Sequence, residues 1–173
     1  MSTPTLVAIH LAPGRRLPMR PVGSVVAEAG AGLVGDRYHG SRHRHVTVQS
    51  ATRLADAAER LGTPVPAEGT RRNLTVSHGD VVRTPGAQVR LGEVLLEVVR
   101  VAAPCRVLDD EIGPGAARAL HDLAGSVFRV LEGGTLRLGD AYEELPFEAD
   151  EAAARAAASR SAAIPDRPRP RLP

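Results

Sequence analysis

The 173-residue sequence contains no lysine and no tryptophan, one cysteine, two tyrosines and two phenylalanines. Without lysine, the chain can form no Schiff base with pyridoxal phosphate, so we expect no such cofactor. A single cysteine permits no internal disulfide and too few thiolates for an iron–sulfur cluster. With so few aromatic side chains, the protein has little surface on which the bases of single-stranded nucleic acid could stack. These absences exclude several classes of enzyme and of nucleic-acid-binding protein.

The charge balance also argues against a nucleic-acid partner. The 22 basic residues are all arginines, they face 20 acidic residues, and the formal net charge is only +2. The isoelectric point is nevertheless about 9.3, because little titrates between neutral pH and the tyrosines and arginines. The field around such a molecule is too weak to indicate a nucleic-acid surface.

Apolar residues are spread through the chain rather than concentrated in long runs. Hydrophobic residues make up 43% and charged residues 24%, as is usual for soluble globular proteins. No run is long enough to predict a membrane span. The first apolar run, Leu6–Ala12, contains His10 and follows no basic segment, which argues against a signal peptide. We therefore expect a cytoplasmic protein without a membrane association.

Composition changes near residue 147, which predicts two regions. Residues 1–147 contain short β-rich runs separated by Gly, Pro and Asp. Residues 148–173 begin with an alanine-rich stretch and end in a segment that is mostly Pro and Arg. Alanine favours helix, whereas Pro-rich segments are extended. We expect one β-rich domain over 1–147, followed by an alanine-rich helix and a mobile tail.

The first region is predicted to be mainly β. One helix is indicated by Leu54, Ala57 and Leu61, with Ser50 as its cap and Gly62 at its end. A second, weaker helix pattern covers residues 116–123. Many short strands with few helices favour a closed or nearly closed β-barrel with a few covering helices. The predicted strands cover residues 5–11, 22–27, 45–49, 72–77, 88–91, 94–102, 126–131 and 135–138.

Cys105 is the first candidate functional residue. It follows Pro104 and the strongest predicted strand, and proline cannot continue a central strand. Cys105 is therefore expected just past the strand end, where a thiolate can act as a nucleophile or as a soft metal ligand. The alternative is a buried, inert cysteine that acts as a small hydrophobic residue.

Two arginine-containing segments are further candidates. The segment from Gly35 to His45 holds three arginines and three histidines, including Asp36, Arg37 and His39. Arginine forks and backbone amides in such a loop can bind phosphate, and its histidines are an alternative metal site. The segment Arg71-Arg72-Asn73 leads into a predicted strand and can also hold a phosphate. For each segment, a solvated charged surface is the alternative.

The order of these motifs resembles the MOSC domain family, named after the C-terminal domain of molybdenum-cofactor sulfurases. The resemblance covers about residues 7–145 and is closest to short, free-standing members. It rests on Gly32-Leu33-Val34-Gly35-Asp36-Arg37, Arg71-Arg72-Asn73-Leu74, Pro104-Cys105, and Gly125-Ser126-Val127-Phe128-Arg129-Val130-Leu131-Glu132-Gly133-Gly134 continuing to Leu138-Gly139-Asp140.

The resemblance implies a barrel related to the one inserted in pyruvate kinase, and a molybdenum cofactor (molybdopterin). Cys105 would be the functional cysteine and the metal ligand. The cofactor phosphate would involve Arg37, Arg71 and Arg72, and we include Asp36, His39 and Asn73 among the candidate cofactor-binding residues. The chain lacks the length and the lysine for the desulfurase domain of the sulfurases.

Three functions stay open on the sequence. The first is a molybdenum-dependent oxidoreductase of N-oxygenated compounds, or a cofactor handler, and turnover would then need a separate electron-donor protein. The second is a sulfur carrier in which Cys105 accepts persulfide sulfur from a separate cysteine desulfurase. The third is a non-catalytic binding module in which the Pro/Arg tail docks a partner.

Overall fold

The computed structural model describes residues 2–148, and the predicted alanine-rich helix and Pro/Arg tail from 149 onward lie outside the described residues. Short strands dominate the described part, with three α-helices and one 3-10 helix over Glu68–Thr70. The helices are α1 Ala51–Leu61, α2 Val107–Glu111 and α3 Ala116–Ala119. The strands are β1 Leu6–Leu11, β2 Arg20–Val22, β3 Ser24–Glu28, β4 Gly32–Leu33, β5 Val46–Ser50, β6 Leu74–Val76, β7 Gln88–Leu91, β8 Val94–Val101, β9 Ser126–Glu132, β10 Gly134–Arg137 and β11 Tyr142–Glu144.

The predicted closed or nearly closed barrel is wrong, because the sheets are open. Eight strands form one sheet in the order β11-β7-β8-β9-β5-β6-β1-β2, and β10-β3-β4 form a second sheet. Closure would require the two end strands to pair, but within residues 2–148 β2 pairs only with β1 and β11 only with β7. Both end strands have three residues. A sequence rich in short strands does not determine whether the sheet they form closes.

The crossover between β5 and β6 carries the principal helix. These two strands pair in parallel, and parallel neighbours need a crossover connection, which α1 supplies here. Gly62 ends α1 in the left-handed conformation with φ 79°, as predicted. The predicted capping by the Ser50 side chain is wrong, because its hydroxyl contacts the Thr52 hydroxyl at 2.9 Å instead of a backbone N–H.

Two apolar clusters stabilise these layers. The larger cluster draws its residues from both sheets and includes Leu6, Leu74, Leu96, Phe128 and Leu136, all almost fully buried. The smaller cluster joins the three helices through side chains such as Leu54, Leu108 and Leu120. Burial of apolar surface is the main favourable term in folding.

Sequence patterns located most strands within one or two residues, and β7 at its observed bounds. They missed β2, β4, β11 and α2, which have two to five residues each. Elements this short carry too few residues to show a period. Among the described residues, no helix combines the length and the apolar character needed to cross a membrane.

Candidate functional site

Four connections meet around a cavity of about 170 Å³, which we call the Cys105 cavity. They are the loop after β1, the segment before β5, the segment before β6, and the connection from β8 to α2. Six arginines line the cavity, and its lining within the described residues includes no carboxylate. Sites that enclose a drug-sized ligand occupy about 300 Å³ or more, so this cavity fits one end of such a ligand. The lining residues are Ala12, Arg15, Arg16, Arg37, Tyr38, Arg44, Thr70, Arg71, Arg72, Cys105, Val107 and Leu108.

Cys105 lies past the end of β8 and just before α2, as the preceding proline predicted. Its side chain is a free, exposed thiol, so the alternative of a buried cysteine is wrong, and the reactivity of Cys105 stays a prediction. The carbonyl of Cys105 accepts the Leu108 N–H at 2.9 Å, which fixes the turn into α2. An exposed sulfur at the wall of a cavity can reach a metal or a sulfur donor.

Arg72 holds the chain that leads to Cys105. Its side chain is buried, Nη2 donates to the carbonyls of Ala102 at 3.1 Å and Ala103 at 3.3 Å, and Nε donates to Ala124 at 3.2 Å. Burial, followed by the charge of Arg44, lowers the pKa of Arg72 to about 10, so Arg72 stays protonated near neutral pH. Its guanidinium therefore links β6 to the Cys105 connection, and it also contributes positive charge to the cavity wall.

Asp36 and Asn73 form a buried hydrogen-bonded pair that does not line the cavity but contacts residues next to it. Asp36 Oδ1 accepts the Asn73 amide at 3.0 Å and the Ala12 N–H at 2.7 Å. Asn73 Oδ1 accepts the backbone N–H and the hydroxyl of Thr47 at 3.1 and 2.9 Å, and the Asn73 amide also donates to the His10 carbonyl. These contacts occupy both side chains, and neither residue lines the cavity. They join β1, β5 and the loop that carries Arg37.

Tyr38 lies between two cavity arginines in sequence and contacts both. The guanidinium carbon of Arg37 lies 4.4 Å from the Tyr38 ring centroid, and that of Arg44 lies 4.2 Å from it. These distances are typical of cation–π contacts. Arg44 Nε is buried without a hydrogen-bond partner in the described part of the chain. Such a donor is costly to bury unless something accepts its hydrogen bond.

Arg71 contributes a second unpaired donor among the residues that line the cavity. Its backbone is in the left-handed region with φ 60° at the end of the 3-10 helix. Nη1 donates to the Leu17 carbonyl at 2.8 Å and lies 3.4 Å from Glu111. Nη2 is buried and has no partner among residues 2–148. Arg71 therefore carries an unsatisfied donor in a side chain that lines the cavity.

The structure brings Cys105, Arg37, Arg71 and Arg72 together around one cavity and leaves His39 outside its lining. His39 Nε2 instead contacts the Glu28 carboxylate at 2.7 Å on the surface. The described residues contain no group of three or more His, Cys, Asp or Glu side chains arranged to hold a metal ion. The histidines of the 35–45 segment therefore do not assemble into a metal site.

Sequence reasoning missed three of the cavity arginines. Arg15 and Arg16 follow Pro13-Gly14 directly after β1, and Arg44 precedes β5. Paired arginines in a tight loop after a strand are a usable signal, but nothing in the sequence shows that this loop meets Cys105. The segment that holds Arg44 was recognised, although Arg44 itself was not selected.

Comparison with known proteins gives a consistent family assignment. The family model described as "MOSC domain" matches residues 35–143, more than half of the chain. The YuaD protein from Bacillus subtilis has a similar fold, with a TM-score of 0.76 and 17% identity over 85% of this chain and 98% of that one. No curated protein sequence matches.

Two further solved structures share the fold over most of this chain. YiiM from Geobacillus stearothermophilus has a TM-score of 0.66 and 19% identity, and covers 81% of this chain and 74% of its own. YiiM from Escherichia coli has a TM-score of 0.59 and 18% identity, and covers 83% of this chain and 71% of its own. At these identities, the likeness establishes the fold and leaves the activity to be argued from the site.

Proposed function

Because the chain belongs to the MOSC domain family, we propose that the Cys105 cavity binds the phosphorylated molybdenum cofactor, with the Cys105 thiolate as a ligand to the metal. One observation carries this proposal. An exposed thiol lies at a cavity lined by six arginines and, among the described residues, by no carboxylate. A soft sulfur ligand beside an anion-binding wall matches the two chemically distinct parts of that cofactor.

The unpaired donors support the fit to a phosphate. Arg71 Nη2 and Arg44 Nε are buried without partners in the described chain, and phosphate oxygens are strong acceptors for guanidinium N–H groups. Arg37 is exposed at the same wall and adds charge. Arg72 is committed to three backbone carbonyls and would act mainly by holding the Cys105 connection in place. Asp36 and Asn73 would hold the loop that carries Arg37.

The bound cofactor would supply a molybdenum centre capable of redox chemistry. The protein's own contribution is to bind the phosphate, orient the thiol and leave the mouth of the cavity open. Sustained turnover as an oxidoreductase would require a separate electron-donor protein, because one cysteine cannot hold an iron–sulfur cluster. A cofactor-handling role would need no such donor.

The exposed Cys105 sulfur also favours a second candidate, a persulfide carrier supplied by a separate desulfurase. An accessible thiol is sufficient for that chemistry. It leaves the unpaired donors of Arg44 and Arg71 without an acceptor, whereas the phosphate of a cofactor would supply one. The cofactor proposal therefore accounts for more of the cavity.

We expect Arg71→Gln to reduce the cofactor retained on purification by about tenfold or more, because it removes a charge-assisted contact with the phosphate. The measurement is the fluorescence of the oxidised pterin released from protein produced in cells that make the cofactor. The control is Arg118→Gln, since Arg118 is exposed on α3 and does not line the cavity. Equal pterin in Arg71→Gln and the wild type, or none in the wild type, would contradict the proposal.

A further inference from the structure

We propose that Tyr38 is a positioning residue that holds Arg37 and Arg44 together as a paired binding site for one phosphoryl group. The proposal rests on the cofactor-binding function proposed above and assigns a task within the same cavity. All three residues line the Cys105 cavity. We call them the Arg37–Tyr38–Arg44 cluster.

The contacts within the cluster show how one ring organises two cations. Both guanidinium carbons lie less than 4.5 Å from the ring centroid, at 4.4 and 4.2 Å. Arg37 Nη2 also donates to the Tyr38 hydroxyl. Cation–π attraction operates out to about 6 Å, and both guanidinium groups lie within that distance of the ring, so the ring attracts both. Without the ring, two flexible like-charged side chains would move apart.

Holding Arg37 and Arg44 side by side costs free energy when no anion is bound, because Arg44 is partly buried and the two side chains carry like charges. Burial lowers the pKa of Arg44, and although Tyr38 acts in the opposite direction, the charges of Arg100 and Arg37 lower it further. Arg44 Nε also has no hydrogen-bond partner in the described residues. A phosphoryl oxygen would accept from this donor and offset the repulsion, and two adjacent guanidinium groups suit a dianion.

The backbone beneath the cluster is already fixed. The Tyr38 N–H donates to Asp36 Oδ2 at 3.0 Å, and the Arg37 N–H donates to the Ala12 carbonyl at 2.8 Å. Asp36 is itself held by Asn73. The backbone that carries the ring is therefore held in place before any ligand binds, and such preorganisation lowers the entropic cost of binding. This explains why Asp36 and Asn73 lie beside a binding site without lining it.

Pyrophosphate binding to cofactor-free protein, measured by titration calorimetry, tests the proposal. Tyr38→Met keeps the bulk but loses the ring, and we expect it to weaken binding about tenfold or more. Tyr38→Phe keeps the ring and loses only the hydroxyl contact, so we expect less than about a threefold loss. Tyr38→Leu is the second non-aromatic variant if Tyr38→Met does not fold. Thermal midpoints within a few degrees of the wild type establish that the fold is intact.

A double-mutant cycle separates positioning from a purely structural role. If the ring acts through Arg44, Tyr38→Met should cost much less in the Arg44→Gln background than in the wild type. Equal losses in both backgrounds, or wild-type affinity in Tyr38→Met, would overturn the proposal. The two proposals can fail separately. If protein from cells that make the cofactor carries none, the proposed function is refuted. If Tyr38→Met still weakens pyrophosphate binding in that case, the paired site stands for another phosphorylated ligand.

Cofactor-loaded protein identifies the source of the phosphoryl group. If the cofactor phosphate fills the paired site, loaded wild type should bind pyrophosphate at least tenfold more weakly than cofactor-free protein. If a separate phosphorylated molecule uses it, loaded protein should bind pyrophosphate with the same dependence on Tyr38. Both results support the paired site, and binding that is independent of Tyr38 in both forms contradicts it.

Discussion

Replacing Gly125 with alanine is expected to lower the thermal midpoint by about 10 °C, because no side chain fits at this position. An added Cβ would lie 1.9 Å from the Val48 carbonyl oxygen, and Gly125 has φ +74°. The left-handed backbone costs an alanine about 1 kcal/mol, and overpacking adds about 1–3 kcal/mol. In a chain of this size, each kcal/mol lowers the midpoint by about 2–4 °C. Thermal unfolding followed by circular dichroism measures the loss.

Gly62→Ala is the matched control for the Gly125 prediction. Gly62 has a similar φ of +79°, but an added Cβ there would meet nothing within 4 Å. This variant carries only the backbone strain, so we expect a loss of about 1 kcal/mol. Equal losses in the two alanine variants would show that Gly125 is required for its backbone conformation alone and not for the close approach of Val48.

Arg72→Met is expected to cost about 3 kcal/mol of folding free energy and to loosen the connection that carries Cys105. The substitution leaves three backbone carbonyls, those of Ala102, Ala103 and Ala124, without their donor. Ala102 and Ala124 are buried, whereas Ala103 is exposed and its carbonyl can bind water. Each of the two buried acceptors costs about 1–3 kcal/mol when it has no partner. The gain from no longer burying a charge offsets part of this sum. Chemical denaturation measures the stability, and the alkylation rate of Cys105 should rise as its connection becomes mobile.

Arg60→Met is the control for Arg72. Arg60 also donates to backbone carbonyls, those of Ala119 and His121, but it is exposed. Water can replace its hydrogen bonds, so we expect a loss below about 1 kcal/mol and an unchanged alkylation rate at Cys105. If Arg72→Met also leaves both measurements unchanged, Arg72 does not hold the Cys105 connection.

The sequence predicted local elements better than it predicted closure or side-chain roles. Alternating apolar residues and turn glycines located β7 and the end of α1 at Gly62, because these signals act over a few residues. Closure depends on whether β2 and β11 meet, which involves residues more than 100 positions apart. Local patterns carry no information about that pairing.

The candidate site likewise has a part that the sequence predicted and a part that only the structure shows. Cys105 was predictable because a proline after a strong strand marks the strand end. Asp36 and Asn73 were included among the candidate cofactor-binding residues because they belong to the two arginine-containing motifs that resemble the MOSC family. Their single hydrogen bond to each other, which joins residues 37 positions apart, ties both side chains to the fold, and their part in binding the cofactor directly stays a prediction. Only the folded chain shows that Arg44 lines the same cavity as Cys105.

Molybdenum content per chain is the measurement that most directly tests whether the Cys105 cavity is a cofactor site. Wild-type protein purified from cells that make the cofactor should contain about one molybdenum atom per chain, the stoichiometry of a single thiolate site. Cys105→Ser, which loses the soft ligand but keeps the arginine wall, should contain almost none and still bind pyrophosphate. A wild-type protein free of molybdenum, or a serine variant with the full amount, would contradict the account.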